Sequence, residues 1–450
     1  MLQAGFARRE ITPSAGVELT GWGYYLNRTW QTIHDHLYAT AAVFRSDDVT
    51  VVVVAIDLML IDVRFTRLVR RQLRERLQIP PECVLITCSH THNAPAAGGL
   101  RGVGECDPRY EDWAAEQIVL TVTAAAANLQ PARLRCGSQL LPGLSFNRTR
   151  AIGVVDDCLT AAAVEDADGN VLGVLCSFAA HPTVMTEMRP FAVSRDVPGQ
   201  VCDRLEQRYP GALAMYLQGA CGDTNFLREF QTEERCHVPA ERLDEAVAQI
   251  LEQAQPDPDQ RVAASAQIVS LSTRRWTEDE VWTVRKEAER RLLEQDLTGW
   301  RESLGRSMTN RPDDMVTRHG GDEWKAVAAM CRFHLEWTDE ILPDLQIRAE
   351  VLDSEVQAIR VGQLGFVANS AEFFSPFALQ VRAASPFRDL MIACYSNGRI
   401  GYLPDEHDLQ ARSYAGLQSP RYCGQFPFTA DSGPEMCRGM LAVLEQCARE

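Results

Sequence analysis

The chain has 450 residues, 46% of them hydrophobic and 24% charged, and a formal net charge of −16. This length exceeds the commonest domain size by roughly threefold, so we expect one large α/β body with an insertion, or two domains. The composition is that of an ordinary soluble globular protein. The excess of carboxylates argues against nucleic acid or an anionic membrane surface as a partner.

No targeting or anchoring segment is evident in the sequence. Residues 1–10 lack a basic stretch followed by an apolar core, and no apolar run approaches the ~18 residues of a membrane span. We therefore expect a cytoplasmic protein with a small-molecule substrate and no membrane partner; a homo-oligomer stays open. The fourteen cysteines contain no C-x-x-C pair, which indicates buried thiols, and only Cys221 lies in a candidate site loop.

The first half of the chain alternates strands and helices. A β-branched run at 51–58 predicts a central strand, an amphipathic helix follows at 64–77, and a further strand leads to His90, which is the order of a βαβ unit. A helix at 110–129, a strand at 134–140 and a hairpin over 164–175 that turns on Asp168-Gly169 continue the pattern. These elements together predict a mixed sheet.

The sequence becomes charged and helical from 273 to 345. Helices are predicted at 278–295 and 324–337, before a strand resumes at 355–361. We interpret 1–450 as a single catalytic domain and 273–345 as a helical insertion that covers or frames a pocket. His319 and His334, both in the insertion, lack a strand-end context and are predicted to be solvated or packed.

Two histidines follow an apolar strand at 84–86, where a Pro/Gly-rich loop begins. Residues two apart in an extended segment share a face, so His90 and His92 are placed to point into one pocket. The carboxyl end of a strand is where α/β proteins place their chemistry, and a neutral imidazole is both a common zinc ligand and a proton carrier. The alternative is that these are two polar residues that cap a strand.

Two further strands end on candidate ligands. The buried run 174–180 leads to His181, and the run 364–371 leads to Glu372. A carboxylate and two or three imidazoles form a plausible shell for a borderline metal ion. Glu372 on its own is more typical of a helix N-terminal charge.

An ordered set of short motifs resembles the N-terminal catalytic domain of neutral (non-lysosomal) ceramidases, which are zinc-dependent amidases. The motifs span nearly the whole chain and are GFARREITP at 5–13, GWG at 21–23, IHD at 33–35, YA at 38–39, SHTH at 89–92, NRT at 147–149, HPT at 181–183, QGACGD at 218–223, EF at 372–373, Tyr402, and YAG at 414–416. The resemblance implies a layered αββα-like core of mixed sheets flanked by helices.

The resemblance also implies a site and its residues. The Zn²⁺ ligands would be His90, His181, Glu372 and Tyr402, although residues 398–404 depart from the threonine-rich stretch usual in the family. His92 would transfer a proton or support an oxyanion, Arg148 would contact the substrate or intermediate, Tyr414 would polarise the scissile carbonyl, and His34 would line the pocket.

The chain departs from the family at residues 222–226. Ceramidases carry there a serine proposed as nucleophile, followed by proline, whereas gapless alignment puts Asn225 at that serine. Because an asparagine is not acylated in the usual way, we expect a zinc-activated water to attack, unless Thr224 is shifted into place. Asp223, Thr224 and Asn225 suit either substrate contact or a helix N-cap cluster.

The sequence thus predicts a zinc-dependent hydrolase that cleaves an amide (N-acyl) or related carbonyl bond. Without a secretion signal or a trailing β-sandwich domain, we expect a small soluble amide or ester as substrate, not ceramide. One alternative is a zinc-dependent hydrolase or lyase that acts on a sugar-derived C–O bond, with Trp22, Tyr24 and Tyr25 as stacking groups. The other alternative is a non-catalytic zinc-binding protein.

Overall fold

A computed structural model describes residues 1–303 and 312–450 of the chain. Within them, the strands are β1 (Gln3–Glu10), β2 (Thr32–Ile33), β3 (Tyr38–Ser46), β4 (Val49–Ile56), β5 (Val84–Cys88), β6 (Gln130–Pro131), β7 (Arg133–Leu140), β8 (Ser145–Asn147), β9 (Cys158–Glu165), β10 (Val171–Phe178), β11 (Ala192–Val193), β12 (Leu213–Gln218), β13 (Thr224–Phe226), β14 (Val262–Ser272), β15 (Val351–Val361), β16 (Leu364–Asn369), β17 (Ala371–Phe373), β18 (Asp389–Ala393) and β19 (Gly401–Leu403).

The helices of the same residues are α1 (Val63–Leu77), α2 (Pro108–Ala127), α3 (Val184–Met188), α4 (Asp196–Arg208), α5 (Val238–Gln253), α6 (Glu278–Glu294), α7 (Trp300–Ser303), α8 (Pro312–Arg318), α9 (Glu323–Ile341), α10 (Ser375–Ala384), α11 (Glu406–Gln410), α12 (Ser419–Cys423) and α13 (Ser432–Arg449). Short 3₁₀ turns occur at Pro81–Cys83, Arg228–Phe230 and Leu342–Asp344, and a π-helical turn occurs at Tyr414–Gln418.

Three principal sheets share one design. Their strand orders are β5-β4-β3-β1-β6, β12-β10-β9-β7 and β14-β15-β16-β18. Each is antiparallel except for one parallel pair at its edge, namely β4 with β5, β10 with β12, and β16 with β18. Since a parallel pair needs a crossover, a helix lies between the two strands each time: α1, α4 and α10. The predicted βαβ unit is confirmed and occurs three times.

The elements form where the sequence patterns place them. Residues 51–54 of β4 are fully buried, as β-branched side chains on a strand covered on both faces should be. Helix α1 begins after Asp62, whose carboxylate accepts a hydrogen bond from the Phe65 amide, and it ends at Gln78 in the left-handed conformation. The hairpin on Asp168-Gly169 joins β9 to β10 in antiparallel register.

The sheets face one another through apolar side chains and carry helices on their outer sides. Helix α2 packs on β1 and β3, α5 packs on β7 and β9, and α13 packs on β14 and β15. One continuous apolar cluster includes buried side chains from strands of all three sheets. The predicted layered α/β fold with mixed sheets is therefore confirmed.

The charged segment after residue 272 is helical in its described part. Helices α6 to α9 lie between β14 and β15 in the chain. The last residue of β14, Ser272, pairs with the first residue of β15, Val351, at the end of this antiparallel ladder. Residues 304–311 of the predicted insertion lie outside the described residues. His334 is buried against the Tyr24 hydroxyl, and His319 packs on the Tyr25 ring.

None of the helices in 1–303 and 312–450 has the length and apolar character needed to cross a bilayer. All fourteen cysteines are free thiols, and most of them are buried.

Candidate metal centre and cleft

The candidate site lies where the three parallel strand pairs end. His90 follows β5 by two residues, His181 follows β10 by three, and Glu372 lies in β17 just after β16. The carboxyl ends of parallel neighbours meet at one edge of a sheet, so each βαβ unit delivers one side chain to the same place. The predicted convergence of strand-end residues is present in the fold.

Backbone carbonyls orient all three imidazoles. The Nδ1 atom of His90 lies 2.8 Å from the carbonyl oxygen of Met59. The Nδ1 atom of His181 lies 2.7 Å from the carbonyl oxygen of Cys221, and that of His92 lies 3.2 Å from the carbonyl oxygen of Gly21. A carbonyl oxygen only accepts, so these contacts place the proton of each ring on Nδ1. Each Nε2 is therefore left with a bare lone pair.

These lone pairs face one another. The His90 Nε2 atom lies 3.0 Å from that of His181 and 3.3 Å from that of His92. The Glu372 Oε2 atom is 3.6 Å from the Nε2 atoms of both His90 and His181, and it is buried with no hydrogen-bond partner among the described residues. Such a group of acceptors is mutually repulsive unless a cation lies between them, and nitrogen and carboxylate donors suit a divalent transition metal.

The histidines are suited to binding as neutral ligands. Burial, followed by the positive charges of neighbouring groups such as Arg148, lowers the pKa of His181 well below its ordinary value. The same causes act on His92. Because only the unprotonated ring binds a metal, this environment keeps the ligand form at neutral pH.

Tyr402 lies beside Glu372 because β17 and β19 pair in parallel with these two residues in register. Its hydroxyl accepts a hydrogen bond of 2.7 Å from Arg148 Nη2. Arg148 also donates from Nε and Nη2 to the Gly222 carbonyl, at 3.1 and 2.8 Å. Burial alone would lower the pKa of Arg148, but Tyr402 and Glu372 raise it, so the guanidinium stays a fixed cation.

Tyr414 approaches the site from the C-terminal region. It begins the π-helical turn, and its ring centroid lies 5.6 Å from that of Tyr402. Isolated π-helical turns are common at functional sites because they redirect one side chain without ending the helical segment.

The residues at 223–225 divide between the interior and the cleft. Asp223 is buried and accepts two hydrogen bonds of 2.8 Å from Ser375, and burial raises its pKa to about 6. The Thr224 hydroxyl lies 2.9 Å from Ser375 Oγ and is fully buried. Asn225 instead faces the cleft, and its Oδ1 lies 3.4 Å from Arg148 Nη1.

A cleft opens next to the histidines. Its described lining residues are Gly21, Trp22, His92, Arg148, Thr183, Thr186, Glu187, Asn225, Arg228, Gln231, Asp314, Arg318, Tyr402 and Tyr414. Of the predicted site residues, His92, Arg148, Asn225, Tyr402 and Tyr414 thus line one cavity. Asp314 and Arg318 come from α8, so the helical segment after β14 does frame the pocket.

The comparisons with known proteins concern the family and the fold. The family model described as neutral/alkaline non-lysosomal ceramidase, N-terminal, matches residues 2–225. The chain belongs to this family. Motifs around His90, Arg148 and His181 fall within the matched residues, whereas Glu372, Tyr402 and Tyr414 lie beyond them.

Two solved structures share the fold of this ceramidase-family chain. Neutral ceramidase from Pseudomonas aeruginosa is 20% identical, with a TM-score of 0.72 over 100% of this chain and 75% of that one. A structure described as ceramidase complexed with C2 is 19% identical, with a TM-score of 0.73 over 99% of this chain and 75% of that one. No curated protein matches the sequence at a significant level.

Some predicted residues lie away from the cleft. His34 is not among its described lining residues; its side chain is 36% exposed, 3.9 Å from Asp35. Tyr24 is buried against Tyr422, and Tyr25 contacts the edge of Trp22, so only Trp22 of the three aromatic candidates lines the cleft.

The outer wall of the cleft is lined by three residues that were not predicted from the sequence, namely Glu187, Asp314 and Arg318. Asp314 and Arg318 lie in a charged helical segment, where such residues are usually solvated, and no local pattern distinguishes them. The one sequence signal was the segment itself, which was predicted to cover or frame a pocket.

A second group of possible metal ligands has a simpler explanation. Asp405, His407 and Asp408 lie close together. Arg150 Nη2 is 2.5 Å from the Asp405 carboxylate and 3.0 Å from that of Asp408, and the side chain of His407 is 58% exposed. Both carboxylates of this group are therefore already paired with one arginine.

Proposed function

We propose that this chain is a zinc-dependent hydrolase that cleaves an amide (N-acyl) or related carbonyl bond of a small soluble substrate, with water as the nucleophile. The observation that carries the proposal is a set of three bare Nε2 atoms next to the unpartnered Glu372 Oε2 atom, in which that of His90 lies 3.0 Å from that of His181 and 3.3 Å from that of His92. Membership of a ceramidase family supports hydrolysis as the reaction.

We assign His90, His181, Glu372 and Tyr402 to hold the ion. His90 and His181 are each 3.6 Å from the same Glu372 oxygen, and Tyr402 is the register partner of Glu372. When bound, zinc supplies a Lewis acid that polarises a carbonyl and brings the pKa of a water towards ~7.

His92 is assigned to proton transfer. It lines the cleft, whereas His90 and His181 lie beneath it, fully buried. Its Nδ1–H is directed to the Gly21 carbonyl, so Nε2 is free to accept the proton of the attacking water and to return it to the leaving group.

Arg148 and Tyr414 are assigned to the oxygen of the scissile carbonyl. Arg148 is held by the Gly222 carbonyl and therefore needs no rearrangement as negative charge develops on that oxygen. Tyr414 lines the same cleft and has a hydroxyl that can donate to an oxyanion.

A water nucleophile is favoured over a side chain. Asn225 faces the cleft but carries an amide, which is not nucleophilic. The Thr224 hydroxyl is buried against Ser375 and Asp223 and does not belong to the described cleft lining.

The test is elemental analysis of purified wild type beside His90→Ala and His181→Ala, with turnover of N-acyl, ester and glycoside chromogens measured on the same samples. We expect one zinc per chain, and loss of both the metal and turnover in the two variants. His407→Ala is the matched control, because it removes an exposed histidine outside the site and should retain the metal. Metal-free wild type with full activity would refute the zinc assignment.

One observation favours a second candidate, cleavage of a sugar-derived C–O bond. The cleft lining includes the carboxylates of Glu187 and Asp314 and the ring of Trp22, groups that sugar-binding sites also use. Turnover of the glycoside chromogens without turnover of the N-acyl set would support this candidate. Bound zinc without any turnover would support a non-catalytic zinc-binding protein.

A further inference from the structure

The outer wall of the cleft contains a largely enclosed guanidinium that makes no hydrogen bond to any of the described residues. The side chain of Arg318, at the end of α8, is 9% exposed, and its closest carboxylate oxygen, in Glu187, is 3.6 Å away. Its guanidinium carbon lies 4.7 Å from the centroid of the Trp22 ring. It donates no hydrogen bond to any residue in 1–303 or 312–450, although it lines the cleft.

The donors of this guanidinium are accessible from the cleft, where a ligand can pair with them. A guanidinium has five N–H donors, and burying a charged donor without partners costs more than a neutral one. Burial lowers the pKa of Arg318 below its ordinary value, which reports the same desolvation. A planar fork of donors next to an aromatic face suits the two oxygens of a carboxylate.

A second guanidinium increases the positive charge around Trp22. The Arg28 guanidinium carbon lies 4.3 Å from the ring centroid, and its Nη2 is buried without a partner among the described residues. Arg28 is fully buried, and it is tied to the site through the carbonyl oxygen of His92.

The charge of the cleft lining runs against that of the whole protein. Arg148, Arg228 and Arg318 line the cleft, against the carboxylates of Glu187 and Asp314, in a chain of net charge −16. A basic cleft in an acidic protein concentrates anions locally and repels other cations.

The cleft does not suit a long acyl chain. Among its described lining residues there is no Ala, Val, Leu, Ile, Met or Phe, and the large rings are those of Trp22, His92, Tyr402 and Tyr414. Sites for apolar ligands are lined mainly by hydrophobic side chains. The described wall instead presents hydroxyl, amide and charged groups.

We propose that the cleft takes a substrate with an anionic group remote from the scissile bond, and that Arg318 binds this group against Trp22. A carboxylate is the chemistry that the planar fork fits best, and a phosphoryl group shares its oxygens. The subsite rests on the proposed function only for the bond that is cleaved. Anion binding itself requires no turnover.

The test uses ligands that contain no bond to hydrolyse. 4-Oxopentanoate carries a ketone and a carboxylate, hexane-2,5-dione is its neutral counterpart, and 3-oxobutylphosphonate replaces the carboxylate with a phosphonate. Dissociation constants are measured by ligand-observed NMR on the protein as purified. We expect 4-oxopentanoate to bind at least about 10-fold more tightly than the dione, as a charge-assisted bidentate contact should. The phosphonate result tells which anion fits better.

Arg318→Gln and Arg318→Met remove the charge, and the methionine keeps an unbranched stem on Trp22. The preference for the anion should fall to about 1 in both. Arg64→Gln is the matched control, since Arg64 has a side chain that is 84% exposed and pairs with Asp62 outside the cleft. This control should keep the wild-type preference.

Two results would overturn the inference. The first is equal affinity of wild type for the anion and the dione. The second is an unchanged preference in folded Arg318 variants, which would place the carboxylate elsewhere, such as on the metal. If both variants fail to fold, the affinity of wild type for 4-oxopentanoate is measured between about 0.02 and 0.5 M salt. The preference over the dione should weaken as salt rises, because salt screens a contact between charges, and a preference that does not change would contradict the inference. Failure of the proposed function is separate, since it would appear as missing zinc or turnover.

Discussion

The floor and the outer wall of the cleft are built in different ways. On the floor, His90 and His181 follow strands of two sheets and are held by backbone carbonyls at 2.8 and 2.7 Å. On the outer wall, Glu187 and Arg318 lie on α3 and α8, helices of five and seven residues, and meet at 3.6 Å. The side chains of the floor are held in place by the protein itself, whereas the wall presents charged groups that a ligand can contact.

The difference indicates how the two parts divide their tasks. A reaction centre gains rate when its groups need no reorganisation, and rigid strands with carbonyl-held rings supply that. A wall of long side chains on short helices can be changed without disturbing the sheets. We therefore expect floor substitutions to remove the metal and turnover, and wall substitutions to change which substrate binds.

The largest effect should come from Glu372→Gln. This substitution keeps the shape of the side chain but removes a carboxylate charge that faces the histidines. We expect the metal affinity to drop by about 100-fold and turnover by at least about 1,000-fold. Metal content after dialysis and the turnover number are the measurements.

Glu187→Gln removes a carboxylate of the same size from the outer wall and should retain the metal. Equal metal loss in the Glu372 and Glu187 variants would show that the floor and the wall do not have the separate tasks assigned to them.

An intermediate effect should come from Gly21→Ala, where the floor meets the wall. Gly21 has φ of +107°, and a Cβ there would lie 2.6 Å from the His92 ring. Displacing the His92 ring, which we assign to proton transfer, should lower kcat by about 10-fold to 100-fold, because a small misplacement of a catalytic group has a large effect on rate. The measurement is kcat beside the free energy of unfolding.

Gly169→Ala separates displacement of His92 from backbone strain. Gly169 also has a positive φ, +87°, but nothing lies within 4 Å of the Cβ position. Both variants should lose about 1 kcal/mol or more of stability from the left-handed backbone, and only Gly21→Ala should lose kcat. A similar loss of kcat in both variants would contradict the assignment of His92.

The smallest effect should come from Asp196, a buried carboxyl that holds the start of α3, the helix that carries Glu187 of the outer wall. Asp196 accepts a hydrogen bond of 2.7 Å from the Met185 amide at the start of α3, and burial raises its pKa to about 7. Asp35 also raises the pKa of this carboxyl, and backbone hydrogen bonds to Val197 and Met185 oppose the shift.

At a pH below the ordinary pKa of aspartate, Asp196 is protonated in both the folded and the unfolded protein, and its contribution to the free energy of unfolding is fully present. As pH rises towards 7, the unfolded chain ionises first, so this contribution is lost. In Asp196→Asn, the free energy of unfolding should fall less between pH 4 and 7 than in wild type. Urea unfolding at several pH values measures the slope. Asp57 and Asp223 have pKa values raised in the same direction, so part of the slope remains. An unchanged slope would mean that Asp196 is not the titrating group.

Local patterns were sufficient to predict most of the elements. The β-branched run of β4, the amphipathic α1 and the Asp168-Gly169 hairpin were all predicted, because strand and helix periodicity and turn chemistry act over a few residues. The same reasoning placed His90 and His181 at strand ends. It gave no means to locate Arg318 or to exclude His34 from the cleft.

Sequence patterns and motifs were enough to predict the alternation of strands and helices, the family, and the residue types that a metal site needs. The tertiary structure decided which of them meet. The His90 and His181 rings are 91 residues apart in the chain, and Arg148 and Tyr402 are 254 apart. Such contacts depend on how three sheets pack, not on any local preference. For the same reason, only the packed structure buried the Thr224 hydroxyl and brought Arg318 to Trp22.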